Sequence, residues 1–218
     1  MSYLDILHQE LDQYHLLKHP FYQAWNNGEL SINTLQIYAK EYYGHVAAFP
    51  RYISSIHSLC EKIEDRQILL ENLIDEEQGV DNHPELWMQF AEGLGCSRED
   101  CQTQELNSTK KLVNEYFDIT RSCYASGLGA LYAYERQTPE VAKSKIDGLQ
   151  KFYNIKDEKT LKFFLVHMEA DEWHTEECAN LLNKMNPEEQ QKALNGAVKG
   201  AQLLWNFLDE MQEIHLKN

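Results

Sequence analysis

"HMEADEWH", residues 167–174, sets two histidines among carboxylates within eight positions. A helix turns about 100° per residue, so His167, Asp171 and His174 fall within roughly 60° of one another. Glu169 and Glu172 point elsewhere, and Met168, Ala170 and Trp173 can serve packing. The helical period that aligns this stripe runs outward from it in both directions. It predicts a helix over 158–184 around the stripe and another over 187–215, with Asn186, Pro187 and Glu189 spaced as a capping box. Upstream it predicts helices over 62–77, 83–94, 106–122, 124–136 and 139–152, the last capped by Thr138 ahead of Pro139. Ser31 caps a long segment from Ile32 towards Cys60, which Pro50 is expected to kink. Leu4, Leu7, Leu11 and Tyr14 mark a first helix that "KHPF" ends at Pro20, and "NNGELS" (26–31) reads as a turn. No strand-length alternation, internal repeat or low-complexity linker intervenes. The expected fold is all-α, one helical bundle forming a single domain over residues 1–218.

A chain of 218 residues can bury a real core. Its net charge of −15 argues against sequence-independent nucleic-acid binding and against anionic membrane surfaces. No apolar run approaches the ~20 residues of a membrane span, and the N-terminus lacks the basic and apolar regions of a signal peptide. The five cysteines, Cys60, Cys96, Cys101, Cys123 and Cys178, are odd in number and form no C-x-x-C pair. They read as reduced thiols of a cytoplasmic protein.

Two other segments carry ligand-type residues. "DEEQGVDNHPELW" (75–87) places Glu76 and Glu77 at a helix end and His83 at the next helix start. "LYAYERQTPE" (131–140) places Glu135 among Leu131, Tyr132 and Tyr134, where an unpaired charge would cost several kcal/mol. With the stripe, these give three carboxylates and three imidazoles, a mixture suited to a pair of first-row metals that leaves room for dioxygen. Taken singly, His83 is as readily a capping group, and Glu76 and Glu77 a solvated acidic face. Spacing alone does not bring the segments together, and the Glu-x-x-His pairs of ferritin-like sites are absent. Of the twelve tyrosines, Tyr38, Tyr42, Tyr52, Tyr132 and Tyr134 can fill helix interfaces, though a tyrosine beside an oxidising metal centre is also redox-active. His8, His15, His19, His57 and His215 read as structural.

The stretch "HPFYQAWNNGELSINTLQIYAKEYYGHVAAFPRY" (19–52) resembles the opening of the TenA/PqqC-like, haem-oxygenase-like helical family. Within that family, "LIDEEQGVDNHPELW", "ALYAYERQTPEVAKSKIDGL" and "HMEADEWH" look closest to the CADD-like para-aminobenzoate synthases. The resemblance implies a bundle of seven to eight helices around a dinuclear Fe/Fe or Mn/Fe centre. Its ligands would be Glu76, His83, Glu135, His167, Asp171 and His174. It further implies para-aminobenzoate formation for folate from the chain's own Tyr22, with Lys145 as amine donor and Tyr38 as a secondary or electron-relay residue. Dioxygen and a reductant are the implied partners, and similar proteins are commonly homodimers. Three alternatives stand beside this: a dimetal oxidase of an external small substrate, a PqqC-like or TenA-like enzyme, and a death-domain-type interaction protein.

Overall fold

Helix starts leave amides without partners, and most of the long helices begin where a side chain accepts from one. The computed structural model describes residues 2–218 and, for residues 169–172, the backbone only. The helices are α1 (Tyr3–Leu11), α2 (Pro20–Asn27), α3 (Ile32–Leu59), α4 (Ile63–Glu77), α5 (His83–Gly93) and α6 (Arg98–Cys101), then α7 (Asn107–Ser122), α8 (Tyr124–Glu135), α9 (Thr138–Phe152), α10 (Glu158–Asn183) and α11 (Pro187–His215). Eight of these have eleven residues or more and make the bundle; α1, α2 and α6 are shorter. No strand occurs among the described residues, and no helix there is long and apolar enough to cross a membrane.

Ser31 caps α3, Asp157 caps α10, and Asn186 with Glu189 closes the expected capping box on α11. α7 has no such residue of its own. The buried Glu41 of α3 accepts instead from the Glu105 and Leu106 amides and the Thr109 hydroxyl, tying two helices together.

Two expectations need correction. The first helix stops at Leu11, and Pro20 opens α2 rather than ending α1. Its fixed φ suits a first helical position, and His19 Nδ1 takes up the Phe21 amide. α9 begins at Thr138 itself, after Gln137. α3 continues through Pro50 as one helix of 28 residues, so the proline removes one amide without ending the element.

The centre of the bundle is set by α8 against α11. A Cβ on Gly129 would lie 2.0 Å from the Ala193 carbonyl oxygen, and one on Gly196 would lie 2.2 Å from that of Ser126. The two backbones therefore touch, and α8 is buried on nearly every side. Its last residue, Glu135, is carried inside with it. α10 packs against α5, α8 and α9, while α3 holds α4, α5 and α7. The ends of α4 and α8, the start of α5 and the middle of α10 thereby come together.

Candidate metal centre

Gly79, with φ of 87°, lets the chain turn sharply between α4 and α5, so Glu76 and His83 face each other. Glu76 Oε2 and His83 Nδ1 are 2.8 Å apart. They are not in hydrogen-bond geometry, and this buried nitrogen has no hydrogen-bond partner among the described residues. The His167 ring lies 4.2 Å from that of His83, tilted by 48°. Glu76, His83 and His167 each offer a ligand atom, all within 4.8 Å of one another, and all three residues are buried.

The environment fits a cation. His167 Nδ1 bonds the Phe163 carbonyl oxygen at 2.6 Å, which fixes the tautomer and leaves Nε2 its lone pair. Burial, and then the neighbouring His83, holds the His167 pKa well below its ordinary value. Burial also opposes charge on His83, but the carboxylates of Glu76 and Asp75 outweigh it and the pKa ends raised. A divalent ion would satisfy the Glu76 carboxylate and the two imidazoles, of His83 and His167, together.

The other expected ligands flank this cluster. His174 is buried, with Nε2 3.1 Å from Asp75 Oδ2, and it feels the charges of Glu76 and His83. Glu135 accepts from Asn72 Nδ2 at 2.6 Å, while Cys178 Sγ lies 3.5 Å from its other oxygen. Burial, with a contribution from Glu76, pushes the Glu135 carboxyl up to about 8. Asp171 lies outside the described residues, since only its backbone is placed. Glu77 faces solvent, as its bland reading had it.

A second group of buried residues adjoins the cluster. Tyr22 of α2 and Tyr38 of α3 share a hydrogen bond of 2.9 Å, and Lys145 of α9 donates to the Tyr38 hydroxyl at 2.9 Å. Lys145 Nζ is 5.3 Å from the Tyr22 ring centre and 5.2 Å from that of Tyr38. Burial alone lowers the Lys145 pKa to about 7. Tyr22, Tyr42, Tyr134, Lys145 and His167 line one cavity of about 20 Å³, room for a water-sized or diatomic molecule. Tyr38 stands behind that wall.

Asn72, Asp75 and His45 carried no signal in the sequence. The first two face α8 and α10, so their roles exist only once those helices lie alongside. His45 is fully buried among the rings of Tyr42, Phe49, Tyr52, Tyr116 and Tyr134, with neither nitrogen hydrogen-bonded among the described residues. Burial lowers its pKa to about 3, so the ring stays neutral.

Comparison with known proteins shows the family. The model of a family described as iron-containing redox enzyme matches residues 36–205. A protein of Chlamydia muridarum named 4-aminobenzoate synthase is 40% identical, the match covering 98% of this chain and 91% of that one. A protein of the same name from Nitrosomonas europaea is also 40% identical, covering 94% and 88%. Among solved structures, a TenA homologue from Pseudomonas syringae superposes with a TM-score of 0.82 at 17% identity, covering 97% of this chain and 93% of that one. At that identity the likeness speaks for the fold alone.

Proposed function

Because the chain belongs to the family of iron-containing redox enzymes, we propose that this oxidoreductase makes 4-aminobenzoate from its own Tyr22 at a dinuclear metal centre. The observation that carries this reading is the cavity. Its volume is about 20 Å³, and the Tyr22 ring already forms part of its wall beside Lys145 and His167. Product chemistry agrees with that placement. 4-Aminobenzoate has a carboxyl carbon and an amine para to each other on one ring. Tyrosine has Cβ and a phenolic oxygen in the same relation, so only the oxygen must be exchanged for nitrogen and Cβ oxidised and cut from the backbone.

Glu76, His83, Glu135, His167, Asp171 and His174 would hold the ions, as Fe/Fe or Mn/Fe. When bound, the metals supply the activation of dioxygen, with electrons from an external reductant. The chain's own groups do the rest. Burial keeps a large fraction of Lys145 as free amine near neutral pH, which attack on the ring carbon requires. The phenolic oxygen leaves as water, and two-electron oxidation of the Cε–Nζ bond by dioxygen, then hydrolysis, frees the nitrogen and leaves residue 145 an aldehyde. Tyr38, in contact with both Tyr22 and Lys145 at 2.9 Å, holds the phenol and the amine side by side. Phe163 and Phe164 complete the apolar wall of the cavity.

Protein grown on ring-labelled tyrosine, loaded anaerobically with Fe(II) and exposed to dioxygen and reductant, tests the proposal. Labelled 4-aminobenzoate should appear at no more than one per chain, with a matching mass loss in the peptide containing residue 22. Tyr22→Phe should keep its metal and lose most product. A second donor has one specific observation in its favour, the direct bond from Lys145 to Tyr38; mass loss at residue 38 would select it. Many turnovers, or unlabelled product from labelled protein, would show that an external substrate is used.

A further inference from the structure

We propose that Trp173 is the port through which electrons from a soluble one-electron donor reach the metal centre. This rests on the metal-centre reading above. Glu76, His83, Glu135, His167 and His174 are all 2–6% exposed. The adjoining cavity is small, about 20 Å³. A reduced flavin or iron–sulfur carrier therefore has no direct contact with any of these side chains.

Trp173 breaks that enclosure. The sequence reading gave this residue to packing, yet it is 42% exposed. Its ring centre lies 4.9 Å from that of His174, tilted by 59°. One edge of a single π system thus meets solvent while its other side meets the imidazole of an expected ligand. Trp25 and Trp87 are fully buried, so neither offers such an edge. Indole is among the most readily oxidised side chains, and tunnelling falls steeply with the gap between donor and acceptor. A ring pair this close offers a conductive step from solvent to this site.

The step balances without breaking a bond between heavy atoms. The dioxygen-activated centre, which on the reading above is strong enough to oxidise a phenol, would gain one electron through His174, and Trp173 would lose it. The indole N–H proton leaves to water at the exposed edge. The donor then returns one electron, and water returns the proton, so Trp173 ends unchanged and the donor is oxidised by one electron.

The test compares the parent with Trp173→Phe, Trp173→Leu and Trp173→Tyr, all loaded with Fe(II) and assayed first for metal stoichiometry. Each is then mixed with dioxygen, with and without ascorbate as the one-electron donor, and the decay of the oxidised centre is followed by stopped flow. The expected result is equal metal content, several-fold slower reduction for the Phe and Leu variants, and recovery in the Tyr variant, whose ring is again oxidisable. With dioxygen but no reductant, the parent should accumulate oxidised indole in the residue-173 peptide, and metal-free protein should not. Full metal content with unchanged reduction rates in Phe and Leu overturns the port alone. Protein that takes up no metal overturns the metal-centre reading and the port with it.

Discussion

Lys145 and Glu135 are buried groups of opposite sign, each moved toward its neutral form by the same loss of water. For Lys145 the folded pKa is about 7 against an ordinary 10.5. Between those values the unfolded chain holds a proton that the folded one does not, so this residue adds stability as pH rises through that window and opposes folding below it. The same titration sets the chemistry, because only the free amine can attack the ring. Single-turnover yield at fixed time should rise with pH through an apparent pKa near 7. Lys145→Arg should bind metal and consume dioxygen yet give little product at any pH, since guanidinium stays protonated. Full yield from that variant, measured by chromatography of released 4-aminobenzoate, would move the nitrogen source elsewhere.

At the scale of elements, the site depends on how closely α8 approaches α11. The Gly129 contact is with backbone, which cannot swing aside as a side chain can. Gly129→Ala should cost about 3 kcal/mol or more in urea unfolding. It should also lower metal stoichiometry, because Glu135 rides on the displaced helix. Unaltered stability together with full metal content would show that α8 has slack. The same scale explains what could be read beforehand. The His167 and His174 stripe was legible because it lies on one face of one helix, and the capping box at Asn186 is equally local. The cluster of Glu76 and His83 with His167 joins three elements, and spacing within each says nothing of their meeting. The roles expected of Tyr22, Tyr38 and Lys145 came from the family resemblance, and their hydrogen-bonded chain crosses α2, α3 and α9. Asn72 went unread because an amide looks solvated until another helix covers it, and Asp75 because its partner, His174, lies on another helix.

For the molecule as a whole, Tyr22 is part of the core: it is 2% exposed, and the rings of Phe21, Trp25 and Tyr38 pack on it. A chain that has given up this ring becomes a large-to-small core variant of itself. Emptying a buried aromatic site costs roughly 3–5 kcal/mol, against about 5–15 kcal/mol for a whole domain. Tyr22→Gly, which imitates the reacted chain, should melt well below the parent and be digested faster by a nonspecific protease, and chains recovered after turnover should match it. Equal melting temperatures would mean the gap closes by repacking. On the proposed chemistry, release of the vitamin precursor and expiry of the chain that made it are one event, and quality-control proteases can tell used copies from fresh ones without any dedicated tag.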